Sequence, residues 1–241
     1  MKKAILTETK ITSYKAVKQL LSKGNTNAKT VKNELPTYIL YLAPADTIIS
    51  HNLCPFASPG CKSSCLYSAG RGRVNNVQQS RINKAKFWAY DRAKFYGQLA
   101  SELQQLEKRK AKIAVRLNGT SDIDHIDLLY RYTGINFLKS NYLVFYDYTK
   151  NINVYKKYIN SNYKLTFSMS ETNFDQVHEV LKLGGNVAAV FRNSLPDTFM
   201  NYKVINGDLS DLRINDPANV VVGLIAKGDA KKDNSGFVIN N

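Results

Sequence analysis

Long apolar runs, distant cysteine pairs and a secretory leader are all missing from this 241-residue sequence. No stretch approaches the roughly 20 apolar residues that a membrane-spanning helix requires, so we expect no membrane partner. The opening residues, MKKAILTETK, have no apolar core of the kind that signal peptides carry. The chain has three cysteines, and none is distant enough from the others to staple a secreted scaffold. We therefore expect an intracellular, cytoplasmic protein.

Several familiar catalytic and nucleotide-binding motifs are absent as well. The sequence contains no GxxxxGK(S/T), GxGxxG, GxSxG or HExxH pattern. A P-loop, a Rossmann dinucleotide site, a hydrolase nucleophile elbow and a zincin metal site each depend on one of these patterns, because the residues at those spacings build the site. We set those four classes of protein aside.

Acidic residues are scarce relative to basic ones. Aspartate and glutamate total 19 against 34 lysines and arginines, which gives a formal net charge of +15 and a pI near 9.6. Such an excess attracts polyanions, and it predicts a nucleic acid or another anionic ligand as the partner. A plainer explanation is coding by an AT-rich genome, since the chain is also rich in Asn, Ile and Tyr.

All three cysteines lie in one short segment, residues 51–73, which we call the cysteine loop. Cys54, Cys61 and Cys65 have the spacing C-x6-C-x3-C, and thiolates gathered in this way suit a soft metal or an iron–sulfur cluster such as [4Fe–4S]. His51 stands three residues before the first cysteine, so a closed zinc site with three cysteines and one histidine is an alternative. Three reduced thiols without a metal are the remaining reading.

Hydrophobic periodicity predicts an α/β protein with one large domain. Residues 1–35 are predicted to form an N-terminal amphipathic helix, ending near Gly24, and a polar linker, while residues 36–241 form the domain that carries the cysteine loop. One long helix or two are predicted from about Val74 to Lys110, and further helices near 124–139, 151–160 and 173–183. Short apolar strands are predicted at 37–46, 112–117, 142–146, 164–167, 186–191, 203–205 and 220–225.

Alternation of buried strands with helices predicts a parallel sheet, which we interpret as a closed or partial (β/α) barrel. In parallel α/β folds the ligand binds at the carboxyl ends of the strands, and polar residues gather at those positions here.

Asp122 and Lys150 are the candidate catalytic residues. The candidate cofactor- or substrate-binding residues are Asn118, Ser121, Asp147, Ser168 and Arg192. Other polar residues at the same strand ends include Arg116, Thr149, Ser170, Glu171, Asn193, Asp208 and Lys227. The polar segment from Gly228 onward is predicted either to fold over this site or to be disordered.

A three-cysteine loop directly after the first strand of such a fold resembles the cluster loop of radical S-adenosylmethionine (SAM) enzymes. The resemblance implies a cluster with one open iron that binds SAM and cleaves it by one-electron reduction. Those enzymes usually have the spacing C-x3-C-x2-C with an aromatic residue just before the last cysteine. This chain departs from that pattern in its spacing and has Ser64 at the aromatic position.

A set of motifs distributed along the chain resembles the phage gene product 88 domain family. The motifs are NLCPFASPGCKSSCLYSAGRG, VRLNGTSD, YDYTK and AKGDAKKDNSGFV, and the resemblance extends from about Thr37 to Val238. It implies a phage-encoded three-cysteine protein, located in the host cytoplasm and distantly similar to the radical SAM barrels.

These observations predict an iron–sulfur, radical SAM-like enzyme that acts on a nucleotide, a nucleic acid or another anionic substrate. A [4Fe–4S] cluster and SAM are the expected cofactors. The alternative is a zinc-stabilised, basic nucleic-acid-binding protein involved in phage replication. A third and plainer reading is a barrel enzyme whose cysteines are structural.

Overall fold

The computed structural model describes residues 13–24, 33–48 and 50–240, which form a mixed α/β fold around one sheet. The strands in these ranges are β1 (Leu21–Lys23), β2 (Thr37–Leu40), β3 (Ile113–Arg116), β4 (Leu143–Thr149), β5 (Tyr163–Ser168), β6 (Val187–Phe191), β7 (Thr198–Phe199), β8 (Tyr202–Asn206), β9 (Val221–Ile225) and β10 (Val238–Ile239). The seven strands predicted from the sequence are all present, as β2 to β6, β8 and β9. β1, β7 and β10, each two or three residues long, were not predicted.

Most neighbouring strands in the sheet are parallel and follow one another in chain order. The order is β1-β2-β3-β4-β5-β6-β9-β8-β7, with β10 paired to the end of β6. β2 to β6 are parallel neighbours, as are β6 and β9 and then β9 and β8. β1 and β7 are antiparallel to their neighbours. The predicted α/β class with a parallel sheet is confirmed, and among the described strands the sheet is open rather than closed.

The α-helices in the described ranges are α1 (Pro59–Ser63), α2 (Asn75–Tyr90), α3 (Arg92–Glu107), α4 (His125–Thr133), α5 (Ile152–Tyr158) and α6 (Phe174–Lys182). α2 to α6 occupy the predicted regions, whereas α1, inside the cysteine loop, was not predicted. The long helical pattern after the cysteine loop is therefore two helices, which separate at Asp91. The Asp91 carboxylate accepts a hydrogen bond from the Lys94 N–H at 3.2 Å, so it caps the second helix and favours a break at this residue. α4 ends at Gly134, whose positive φ of 71° favours glycine.

Side chains from the two faces of the sheet enter different cores. Leu143 and Phe145 of β4 pack with apolar side chains of α3 and α4, whereas Tyr146 packs on the opposite face with Ala114 and Leu212. A second helix-side core lies between α6 and the strands β5, β6 and β9. The alternation of β4 follows from the two-residue period of a strand, and it shows that the helices cover one face.

An irregular segment, residues 207–219, lies across the other face of the sheet. The Asp211 carboxylate in this segment forms an ion pair with the guanidinium of Arg116, at the carboxyl end of β3, with 2.9 Å between Oδ2 and Nη1. Further along, the carbonyl of Pro217 accepts a hydrogen bond at 2.8 Å from Asn186, which precedes β6. The segment therefore passes from the carboxyl edge of the sheet to its amino edge.

The predicted N-terminal helix is wrong for the described part of residues 1–24. Residues 1–12 lie outside the described residues, residues 13–20 are irregular, and Leu21–Lys23 is β1. Side chains of α3 account for the extended backbone: the Glu102 carboxylate accepts from the N–H groups of Leu20 and Leu21 at 2.7 and 2.8 Å, and Gln98 donates to the carbonyl of Val17 at 3.0 Å. These groups would otherwise bond within a helix, so tertiary contacts have overridden the local helical pattern.

Within the described ranges, no helix combines the length and the apolar composition needed to cross a membrane.

Candidate metal and substrate site

The cysteine loop leaves the carboxyl edge of the sheet after β2 and is attached to the loop that follows β3. The N–H of Ala45 donates to the Cys54 sulfur at 3.3 Å, and the Cys54 thiol lies 3.9 Å from the carbonyl oxygen of Thr120. The N–H of Asp122 donates to the carbonyl of Leu53 at 2.8 Å. These contacts place the first cysteine against the loop between β3 and α4.

The second and third cysteines lie in and just beyond the short helix α1. The hydroxyl of Ser58 accepts a hydrogen bond from the Cys61 N–H at 3.1 Å and so caps this helix, which ends at Ser64, immediately before Cys65. None of the three cysteines is in a disulfide, and each is partly exposed. The thiols therefore remain available to a ligand.

Burial and neighbouring charges act on the thiols of Cys54 and Cys65 through electrostatic coupling. Burial, with smaller contributions from the charges of Asp122, Cys65 and Cys61, raises the pKa of Cys54 to about 12, while the hydrogen bond from Ala45 opposes the increase. Burial also raises the pKa of Cys65, as does the charge of Cys61, while the cations Lys150 and Arg81 lower it. Such coupling requires that the three sulfurs lie near one another. It also means that three thiolates at this position need compensating positive charge, which a metal centre provides.

Glu171, in the loop after β5, holds α1 in place. Its two carboxylate oxygens accept hydrogen bonds from the Ser58 hydroxyl and from the Gly60 N–H, each at 2.7 Å. Gly60 fits here because a Cβ would meet the Glu171 carboxylate at 2.8 Å and the Cβ of Phe237 at 2.7 Å. A carboxylate at the first turn of a helix also complements the free N–H groups there. Glu171 thus connects the helix that carries Cys61 to the carboxyl edge of the sheet.

The two candidate catalytic residues both lie beside the thiols. The Asp122 carboxylate accepts from the Thr149 hydroxyl at 2.8 Å and from the Lys150 N–H at 2.9 Å, which joins the ends of β3 and β4. Burial raises the pKa of Asp122, and these hydrogen bonds oppose the increase. The Lys150 ammonium is 5.6 Å from the centre of the Phe237 ring and lowers the pKa of Cys65.

Three of the predicted cofactor-binding residues, Asn118, Ser121 and Asp147, stabilise the turn after β3 by hydrogen bonds. The Asn118 side chain accepts from the Ser121 hydroxyl at 2.8 Å and donates to the carbonyl of Ile123 at 2.8 Å. Asp147 is fully buried and accepts from the backbone N–H groups of residues 117 and 118 and from the hydroxyl of Tyr163. Burial raises the pKa of Asp147 to about 7, against Arg116 and these donors, which favour the carboxylate. A role of these residues in ligand binding stays a prediction.

The remaining two predicted residues, Ser168 and Arg192, lie at the ends of β5 and β6 along the carboxyl edge of the sheet. Ser168 ends β5, and its carbonyl accepts from the Asn173 side chain at 3.0 Å. The Arg192 guanidinium donates to the carbonyls of Lys231 and Asp233 and to the side chain of Asn240. Arg192 therefore attaches the C-terminal segment to the end of β6, where β10 also pairs. The segment is ordered, pairs with β6 and packs at Gly60 of α1, while its covering of a binding site stays a prediction.

His51 is directed toward aromatic side chains of α2. Its ring lies edge-on to Trp88 and Tyr90, with centroids 5.8 and 6.3 Å away, and its Nδ1 is 2.9 Å from the Ser50 hydroxyl. Burial lowers the pKa of His51, with Arg92 contributing in the same direction. In the part of the chain that the structure describes, no three His, Cys, Asp or Glu side chains are grouped closely enough to hold a single metal ion. His51 therefore contacts α2 in this structure, and the zinc alternative stays a prediction.

Arg81 of α2 is a site residue that sequence reasoning missed. Its guanidinium carbon lies 4.5 Å from the centre of the Tyr41 ring and 5.8 Å from that of Tyr67. Burial lowers the pKa of Arg81, and the groups that raise it are Tyr41, Tyr67 and Cys65, with no carboxylate among them. The only signal in the sequence was its position on the helix that directly follows the cysteine loop.

Comparison with known proteins assigns the chain to a family. The model of the family described as Gene product 88 matches residues 19–241, so the chain belongs to this family. No curated protein and no solved structure matches the chain. The predicted family is therefore confirmed, while the similarity to radical SAM enzymes stays a prediction.

Proposed function

We propose that Cys54, Cys61 and Cys65 bind a [4Fe–4S] cluster and that the protein is a radical SAM-like enzyme acting on an anionic substrate. One observation carries the proposal: three disulfide-free, partly exposed cysteines lie on one short loop that leaves the carboxyl edge of a parallel sheet and contacts the loop after β3. This edge is where α/β folds bind their ligands. Phage origin and a location in the host cytoplasm are part of the same proposal.

A four-iron cluster distributes its thiolates over separate irons, and the three disulfide-free thiols of the cysteine loop are the donors that it would use. Three thiolates leave one iron without a protein ligand, and the chemistry that such a cluster supplies is one-electron reduction of a ligand bound there.

We also propose that the sheet corresponds to a partial (β/α) barrel. β2 to β6 are parallel neighbours in strict chain order, and their helices pack on one face. Right-handed crossovers that always step in the same direction keep helices on one side and curve the sheet around the other. Doubly wound sheets reverse direction at a switch point instead, and no reversal occurs between β2 and β6.

The protein's own side chains would position and shield the site. Glu171 fixes the helix that bears Cys61, and the Asp122 carboxylate holds the backbone of Lys150 near Cys65. Arg81 and Lys150 supply positive charge beside the third cysteine, which favours thiolates and attracts an anionic group of a ligand. The C-terminal segment packs on Gly60 through Phe237 and limits access of water to α1.

Anaerobic purification followed by metal analysis tests the proposal. We expect about four irons per chain with a broad absorption at about 400 nm. The matched control is Cys61→Ser, which removes one ligand and should lose both iron and absorption while the far-ultraviolet circular dichroism is retained. One zinc per chain with no such absorption would overturn the proposal and favour a zinc-stabilised nucleic-acid-binding protein.

Incubation with SAM then separates the enzyme from a passive cluster protein. Under a strong one-electron reductant, the reconstituted protein should cleave SAM, and the Cys61→Ser variant should not. A stable cluster without any SAM cleavage would leave the metal site intact and reject the radical SAM part of the proposal.

A further inference from the structure

The cysteine loop and the C-terminal segment together form a continuous basic surface, which we call the basic rim. It consists of Arg71 and Arg73 in the turn Gly70–Arg73 and of Lys231 and Lys232 at the end of the turn Gly228–Lys232. All four side chains are exposed. The turn at Leu66–Ser68 packs against both segments, so the two pairs of cations border the same surface, directly after Cys65.

The rim carries little compensating negative charge. No carboxylate in the described part of the chain forms an ion pair with any of its four cations. Three of the nearby acids are used inside the fold: Glu171 binds α1, Asp122 binds the end of β4, and Asp233 accepts from the backbone of residues 235 and 238. Asp229, which is exposed in the same turn as Lys231 and Lys232, is the one acid of the two turns, so the four cations leave these turns with a positive net charge.

We propose that the basic rim binds the phosphodiester backbone of a nucleic acid and presents one nucleotide to the cysteine site. This inference rests on the proposed function and names its substrate class. The cations belong to two separate segments that both pack against the turn at Leu66–Ser68, which suits an extended polyanion better than a single small anion. Lysine is depleted in protein–protein interfaces, whereas nucleic-acid interfaces are strongly positive, so a nucleic acid is favoured over an acidic protein.

Salt-dependent binding of fluorescently labelled 20-nucleotide DNA and RNA, single-stranded and duplex, tests the proposal. The wild-type chain should bind at least one of these oligonucleotides, and affinity should fall steeply as salt rises, because phosphate contacts release counterions. Arg71→Gln with Arg73→Gln should weaken binding about tenfold and reduce the slope of log K against log salt by about 1.5, as expected for two lost phosphate contacts. The fold of the variant is checked by its unchanged melting temperature.

A matched variant on the opposite edge of the sheet provides the control. Lys108 and Lys112 are exposed cations in the loop between α3 and β3, so Lys108→Gln with Lys112→Gln removes the same charge far from the cysteine loop. This variant should bind within about twofold of wild type. Equal losses in both variants, or no loss in the rim variant, would overturn the proposal. Competition by polyglutamate as effective as by unlabelled oligonucleotide at equal charge would also reject it, in favour of an acidic protein.

Oligonucleotide binding is tested independently of cluster formation. Binding is measured on protein before and after anaerobic reconstitution, with iron content determined on the same samples. A cluster without oligonucleotide binding rejects the rim proposal alone, whereas binding by protein that never acquires iron supports the rim and rejects the iron–sulfur function.

Discussion

The two edges of the sheet use charge in opposite ways. At the carboxyl edge, Asp122, Asp147 and Glu171 each accept hydrogen bonds from the backbone of another segment. At the amino edge, the loop of residues 108–112 has four cations, all of them exposed, and within the described part of the chain only Arg109 among them forms a side-chain hydrogen bond, to the Tyr38 hydroxyl. Carboxylates therefore fix one edge, while the other presents solvent-exposed cations.

This difference indicates that acidic side chains stabilise the carboxyl edge of the sheet more than the amino edge. A carboxylate that binds backbone N–H groups of a distant loop fixes that loop relative to the sheet, and such rigid support is what a binding site requires. The scarcity of acidic residues in the sequence makes their concentration at one edge more informative. We expect substitutions at the two edges to differ strongly, and the following experiments measure that difference.

The largest effect is expected for Asp147→Ala at the carboxyl edge. The substitution leaves two buried N–H groups, the Tyr163 hydroxyl and part of Arg116 without their acceptor, so we expect a loss of about 3–5 kcal/mol in the free energy of unfolding. Urea denaturation measures it. Glu107→Ala, where α3 ends at the amino edge, is the control and should change stability by less than about 0.5 kcal/mol. Similar values for the two variants would contradict the comparison.

Glu171→Gln should have a smaller effect on stability and a clear effect on metal content. Glutamine has one acceptor oxygen, so it cannot serve both the Ser58 hydroxyl and the Gly60 N–H, and we expect a loss of about 1–2 kcal/mol. Iron bound after reconstitution should fall because the helix with Cys61 is less well fixed. The matched control is Glu179→Gln, which removes only a half-exposed ion pair with Lys156 and should retain full iron content. Unchanged iron in the Glu171 variant would show that α1 is positioned without it.

Acidification should remove the contribution of His125 to stability. This first residue of α4 is fully buried, its Nδ1 is 3.0 Å from the Tyr96 hydroxyl, and burial lowers its pKa to about 3. The unfolded chain binds a proton at this histidine below about pH 6.5 while the folded chain does not, so its contribution is fully present above about pH 6.5 and is lost as pH falls toward 3. Between pH 7 and 5 this contribution should fall by about 2 kcal/mol, while proton uptake by Asp147, whose pKa is raised to about 7, acts in the opposite direction.

Thermal or urea unfolding at a series of pH values measures this dependence, and two variants isolate its source. The difference in stability between wild type and His125→Phe should shift by about 2 kcal/mol in favour of the variant between pH 7 and 5. The difference between wild type and His178→Gln, on the exposed face of α6, should stay constant. A wild-type-to-phenylalanine difference that does not change with pH would exclude this role of His125.

The smallest effect is expected at the amino edge, from Lys110→Gly. Lys110 has a φ of 53°, a conformation that costs a side chain with a Cβ about 1 kcal/mol, so glycine should stabilise the protein by about 0.5–1 kcal/mol. Lys108→Gly, two residues earlier at a helical φ of −59°, should instead destabilise by a similar amount. The same sign for both glycine variants would reject the backbone explanation.

The repeating part of the fold was predictable because it depends on local patterns. Buried apolar runs identified β2 to β6, β8 and β9, and helical periodicity identified α2 to α6. The N-terminal segment was predicted as a helix because Tyr14, Val17, Leu20 and Leu21 have helical spacing. Its extended conformation depends on Asn83, Gln98 and Glu102, which are about 70–80 residues away, so no local pattern could reveal it.

The candidate site was predictable only in part, for a related reason. Cysteine spacing and position after a strand end indicated the loop, Asp122 and Lys150, and these groups do lie together. Sequence position could not distinguish a side chain that contacts a ligand from one whose hydrogen bonds are all made within the protein. Arg192 is an example, because its guanidinium binds the C-terminal segment. Arg81 was hidden for the opposite reason, since an arginine on a long basic helix is usually solvated.

The C-terminal cover also has a consequence for the order of synthesis. Cys65 leaves the ribosome about 170 residues before Ser235 and Phe237, which pack on the helix between Cys54 and Cys65. β10 pairs with β6, and Arg192 binds the carbonyls of residues 231 and 233 in the same segment. Gly60 of α1, which directly precedes Cys61, therefore receives its C-terminal packing partners only after the last strand has been synthesised.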